Sequence, residues 1–140
     1  MKIYLASPYS HPVKAVRSDR FRAACKAAAE IIKQGHICFS PIAHSHHIAD
    51  YLENHNDSGY WLKQDLSFLD SWADELWVLM LDGWQESRGI EKEIDYITSW
   101  IFKSLMIPIK YVDPKALDFY AQGRCRGYRP AMDTEDEVWP

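Results

Sequence analysis

At 140 residues the chain has room for one domain with a sizeable core and not for two. A net charge of -4 argues against a general nucleic-acid binder, and no apolar run reaches the roughly 18 residues of a membrane span. Cys25, Cys38 and Cys125 are too few and too widely spaced for a disulfide framework or a zinc site, and Pro8 comes too early for a signal peptide, so a cytoplasmic setting is expected.

In chain order, residues 2–6 (KIYLA) read as a short strand, and the two prolines of residues 7–12 make a loop. Residues 13–34 carry Val16, Ala23, Ala24, Ala27, Ala28, Ile31 and Ile32 on one helical side, and Gly35 is placed to stop the helix. Residues 36–40 (HICFS) read as a second strand ended by Pro41, which completes a βαβ unit. The His-rich residues 44–56 read as a loop or short helix over the sheet edge. Residues 60–72 form an amphipathic helix on Leu62, Leu66 and Leu69.

The run Leu76 to Leu81 is the pattern of a buried parallel strand, closed by the turn signal Asp82-Gly83. Ser87 then suits a helix N-cap, and Ile90, Ile94, Ile97 and Ile101 form one apolar helix face. Residues 105–112 read as a fourth strand, which Pro108 places at an edge, and residues 115–121 as a last helix. The expected class is α/β, with a mainly parallel sheet of four to five strands and helices on both faces. Residues 1–122 form the domain, and residues 123–140 a tail, flexible or packed on a partner subunit.

Polar residues that interrupt apolar faces are the chemistry candidates. Glu93 lies between Ile90 and Ile97 on the edge of the buried stripe, one turn into a helix at the sheet's carboxyl edge. Asp65 sits inside the apolar face of the preceding helix. Read singly, Glu93 is a rim residue favoured by the helix dipole and Asp65 a carboxylate bonded to a nearby loop. Two such carboxylates flanking one strand favour function. Ser87 and Gly89 serve as cap and close-packing glycine, while the same helix start offers free N–H groups to an anion. Tyr9 is placed to stack on a base, bond a sugar hydroxyl or cover the core. Of Lys14, Arg17, Arg20 and Arg22, most are expected in a solvated face, with one placed to reach a phosphate. His44, His46, His47 and His55 with Asp50 raise a metal site, but no standard ligand spacing accompanies them and none is expected. No P-loop or G-x-G-x-x-G is present, and no cofactor is expected.

The opening I-Y-L-A-S-P-Y, an Asp on the helix before the third strand, and the segment G-W-x-x-S-x-G-x-x-x-E from Gly83 to Glu93 resemble the nucleoside 2-deoxyribosyltransferase-like superfamily, in one of its small branches. The resemblance covers residues 2–112. It implies a flavodoxin-like fold, a dimer or larger homo-oligomer, and cleavage of the N-glycosidic bond of a nucleoside or nucleotide. By position it makes Glu93 the nucleophile and Asp65 the residue that positions substrate. Ser87 falls in the loop for the sugar or its 5′-phosphate, and Ala6, Ser7, Pro8 and Tyr9 line the base and sugar pocket. Gly83, Trp84, Gly89 and His44 complete the substrate-binding set.

Two departures stand out. Ser7-Pro8 replaces the family's common Gly-Pro, and Ser87 replaces an Asp that transferases acting on free nucleosides tend to keep. The second departure leans toward nucleotide hydrolysis, or a lost activity. The alternatives are hydrolysis of NAD-like conjugates with the same glutamate, and a silent nucleotide-binding module.

Overall fold

The computed structural model describes residues 1–53, 58–99 and 107–121. Two apolar runs form the centre of a parallel sheet: Lys2–Ala6 (β1) and Glu75–Leu79 (β3), which lie side by side with Tyr4 opposite Leu76 and Ala6 opposite Val78. Each is covered on both faces, so its side chains are apolar without alternation. Ile37–Phe39 (β2) and Ile109–Val112 (β4) occupy the edges, giving the order β2-β1-β3-β4. All three pairings are parallel.

The connecting helices are Lys14–Lys33 (α1), Pro41–Ile48 (α2), Ser58–Ser71 (α3), Arg88–Thr98 (α4) and Pro114–Ala121 (α5). Strand pleating sends alternate residues to opposite faces. Ile3, Leu5, Trp77 and Leu79 pack against Ala27 and Ile31 of α1 and Leu117 of α5. Tyr4, Ala6, Leu76 and Val78 pack against Leu69 of α3 and Ile90 and Ile97 of α4. The fold is a single flavodoxin-like α/β domain. After β1 the chain runs toward β2, whereas after β3 it runs toward β4. The carboxyl ends of β1 and β3 therefore flank the point where strand order reverses, the usual crevice for a ligand in such sheets.

Some sequence expectations change. Pro41 begins a helix as well as closing a strand. Ser40 Oγ accepts from the Ala43 N–H at 3.2 Å, and Pro41 takes the first helical position, where its missing N–H costs nothing. Residues 44–51 of the His-rich segment are thus the rest of α2 and a 3-10 turn, Ala49–Tyr51, the short helix among the two expected forms, and residues 54–56 lie outside the described residues. Helix α4 ends at Thr98, and Ile101 lies outside the described residues. Pro108 precedes β4, where its carbonyl accepts from the Leu76 N–H, and β4 is indeed an edge strand. The four strands are those of the described residues, and the 123–140 tail lies outside them. Gly35 ends α1 as expected, at φ +88. Among the described residues no helix is long and apolar enough to cross a membrane.

Candidate functional site

Glu93 is the centre of the site. It sits on the sheet-facing side of α4 with 7% of its surface exposed, deeper than the margin its helical angle suggests. Across from it, Tyr4 projects from β1 and donates its hydroxyl proton to Glu93 Oε1 at 2.6 Å. Tyr4 is itself fully buried, with Phe39 beside it at 5.8 Å between ring centroids. A phenol in a strand otherwise aliphatic must find a partner for its hydroxyl, and that unmet requirement is the signal by which the sequence marks Tyr4.

Asp65 stands half-buried on α3, close enough for its charge to act on both Glu93 and Tyr4. Burial is the main influence on each group. It pushes the Glu93 carboxyl up to about 8; the Tyr4 hydrogen bond works against that rise, and the Asp65 charge adds to it. Burial likewise brings Asp65 to about 7. Tyr4 is held well above the usual phenol value by burial, then by the two carboxylates, so it remains a donor. Both carboxyls are therefore held protonated further toward neutral pH than ordinary carboxylates.

The loops above these groups come from the carboxyl ends of β1 and β3. Ser7 and Pro8 are buried, and Ser7 Oγ has no hydrogen-bond partner among the described residues. A buried hydroxyl left unmet costs about 1–3 kcal/mol, and at a sheet's carboxyl edge it is a donor available to a ligand. Gly83 has φ +84 in the turn that the Trp84 N–H closes onto the Leu81 carbonyl. Arg20 ties the two loops together: Nη1 donates to the Ser10 carbonyl at 2.9 Å and Nη2 to the Asp82 carbonyl at 3.0 Å. A Cβ at Gly83 would lie 2.7 Å from Arg20 Nη2, the far end of a flexible side chain that is able to shift, so it is the positive φ that requires glycine there. Arg17 donates to the His11 and Pro12 carbonyls, and Arg22 pairs with Asp19. Arg17 and Arg20 therefore organise loops, where the sequence suggested a solvated face.

The remaining candidates divide. Ala6 ends β1 against the second core cluster, and Trp84 packs beside that cluster and tilts against Tyr111 at 5.4 Å. Ser87 caps α4, accepting from the Ile90 N–H at 3.4 Å. Gly89 is exposed, and a Cβ there would meet only Ser87 Oγ at 3.8 Å, so close packing does not explain it among the described residues. His44 is exposed on α2, next to Phe39 at 5.6 Å, and Phe39 stacks on Phe68 at 3.9 Å. These rings form an aromatic wall between α2 and α3. Tyr9 leans the other way, with its Oη 2.8 Å from Nδ1 of His46. His55 lies outside the described residues, and among those described no group of three His, Cys, Asp or Glu could hold a metal ion. A groove of about 340 Å³ lies on the other face of the sheet, between Arg22, Lys26 and Glu30 of α1 and Pro114 and Leu117 of α5. It contains none of the paired carboxylates, and the chemistry outweighs the volume.

A family model described as a domain of unknown function, DUF1937, matches residues 1–103. The chain belongs to that family. The match spans β1 to α4, and so includes Tyr4, Tyr9, Asp65, Ser87 and Glu93. No curated protein matches the chain.

Proposed function

We propose that this DUF1937 domain cleaves the N-glycosidic bond of a nucleoside or nucleoside 5′-monophosphate, with hydrolysis favoured over deoxyribosyl transfer. The observation that carries this reading is the buried Tyr4–Glu93 hydrogen bond of 2.6 Å under the strand-order reversal, with the Asp65 charge beside it. Breaking the bond between C1′ and the base nitrogen builds positive charge on the sugar, and a carboxylate on the far face stabilises or bonds to C1′. Glu93 takes that role. The base departs with the bonding electron pair and gains a proton, and water then supplies the oxygen that replaces it on C1′. Asp65 orients the sugar, Tyr9 and the Ser7-Pro8 turn meet base and sugar, and the start of α4 at Ser87 offers N–H groups to a 5′-phosphate. The assignment rests in part on the likeness to nucleoside 2-deoxyribosyltransferases. It carries with it a cytoplasmic setting and a homo-oligomeric state.

The test is release of free base, followed by chromatography, from a panel of nucleosides, nucleoside monophosphates and NAD. Release from one class, abolished in Glu93→Ala, supports the proposal and names the substrate class. Full activity in Glu93→Gln would exclude Glu93 as nucleophile. Release of nicotinamide from NAD alone would move the reading to the nucleotide-conjugate hydrolases.

The burial of Glu93 favours one second reading, a nucleotide-binding module without turnover, because a proton-bearing carboxyl with 7% exposure is poorly placed to attack. That reading expects saturable thermal stabilisation by a nucleotide and no released base.

A further inference from the structure

Tyr9 and His46 lie apart from the paired carboxylates but on the same edge of the sheet. Tyr9 belongs to the loop that follows β1, and His46 to α2, which follows β2. Their hydrogen-bonding atoms are 2.8 Å apart, and the two rings meet edge-on at 5.7 Å. Phe21 of α1 stacks on the imidazole at 4.0 Å with 11° between the ring planes. Two neighbours thus fix how the His46 ring is turned. Either atom of the pair is able to donate, so chemistry selects the arrangement. A phenol is the better acid and an unprotonated imidazole nitrogen the better base. The favoured bond therefore runs from Tyr9 Oη–H to Nδ1, with the imidazole proton on Nε2. The proton of Tyr9 is then committed, and a lone pair is what its oxygen has left to offer.

We propose that His46 is a positioning residue that sets the polarity of Tyr9: while His46 is neutral, Tyr9 presents an acceptor to a base N–H of the ligand, and when His46 is protonated the bond reverses and Tyr9 presents a donor, which an N–H group cannot accept. The identity of the ligand rests on the nucleoside reading above. The groups facing His46 are Tyr9 from its loop, Lys14 and Arg17 from α1, His47 beside it on α2 and Asp50 from the following turn. Burial is the main influence lowering its proton affinity; His47, Arg17 and Lys14 act in the same direction, and Asp50 opposes them. Neutral His46 is therefore the form at physiological pH. An oxyanion such as a phosphate is excluded as the partner of Tyr9 in that form, because it too only accepts.

Two measurements on the full chain decide this. The first is histidine 15N NMR above pH 7, with His46→Gln used to identify the signal. An unprotonated Nδ1 and a protonated Nε2 are expected, and a proton on Nδ1 would overturn the proposal. The second is calorimetric affinity for the four 2′-deoxynucleosides above and below the pH at which NMR sees His46 protonate. Protonation is expected to weaken binding by roughly tenfold, about the scale of one hydrogen bond, in a component absent from Tyr9→Phe. An equal loss in Tyr9→Phe, or tighter binding on protonation, would overturn it. With the 2′,3′-dideoxynucleosides the component is expected to persist, because a hydroxyl is able to turn and accept whereas a base N–H is not; its disappearance would overturn the assignment to the base. If no deoxynucleoside binds while Nδ1 is the acceptor, the ligand half of this inference falls, the Tyr9–His46 bond stands, and the proposed function is confined to the nucleoside monophosphates.

Discussion

Glu93 lives in an environment opposed to its charged form, and that opposition has a measurable sign. In the unfolded chain its carboxyl titrates near the ordinary value of about 4, whereas in the fold it is raised to about 8. Between those values the folded state holds more protons than the unfolded state, so stability falls as pH rises. The contribution is complete below about pH 4 and is lost by pH 8. Urea unfolding of Glu93→Gln, which cannot ionise, should therefore gain on the wild type by a few kcal/mol at pH 8.5 and show little such gain at pH 4. An unchanged difference across that range would mean the carboxyl is not desolvated as described. Tyr4→Phe removes the donor to Glu93 and should destabilise by about 1 kcal/mol when Glu93 is protonated and about 2–3 kcal/mol when it is ionised. If base release occurs, the same variant should move the rising limb of kcat/KM to higher pH, because the phenol no longer supports the carboxylate. The helical spacing of the Ile residues marks Glu93 as anomalous. It does not show how deep Glu93 lies, since depth depends on what β1 places across from it.

At the scale of elements, short polar signals decide where helices begin and loops turn. Ser40-Pro41 starts α2, and α2 in turn places His44 and His46 over the sheet edge. Ser40→Ala should remove about 0.5–2 kcal/mol of stability and loosen the Tyr9–His46 contact, a change that histidine NMR would register. The turn after β3 has a stricter requirement. Gly83→Ala meets a positive φ and displaces the flexible end of Arg20, so a loss of about 1–2 kcal/mol, mostly from the backbone, is expected by chemical denaturation. Gly89→Ala provides the contrast: its added methyl meets only an ordinary contact at 3.8 Å, and helix propensity favours alanine, so stability should hold or rise slightly. The sequence marks Gly83 by the Asp-Gly pair. The role of Arg20 is not legible there, because its partners Ser10 and Asp82 are brought together only by the sheet.

For the whole molecule, the two core clusters share one sheet, so neither layer is independent of the other. Leu69, fully buried on the α3 side, and Ile31, fully buried on the α1 side, should each cost about 2–5 kcal/mol when changed to alanine. Circular dichroism and tryptophan fluorescence are expected to report one coincident transition in either variant. Separate transitions would show that the two faces unfold independently. Strand order also decides where the site can be. Because β1 and β3 are neighbours whose onward connections diverge, the Ser7–Tyr9 loop, the Gly83 turn and the start of α4 converge on one edge.

The sequence by itself determined the local alternation of strand and helix, because hydrophobic period, glycine and proline act over a few residues. It also singled out Asp65 and Glu93, since a carboxylate within an apolar stripe is anomalous whatever surrounds it. The tertiary structure decided which groups meet. Tyr4 and Glu93 are 89 positions apart, Tyr9 and His46 are 37, and Arg20 and Asp82 are 62. Hydrogen bonds across such separations follow from strand order and pleat, which local pattern does not encode. The raised proton affinities follow in turn, because burial belongs to the packed sheet and helices together and not to any one segment.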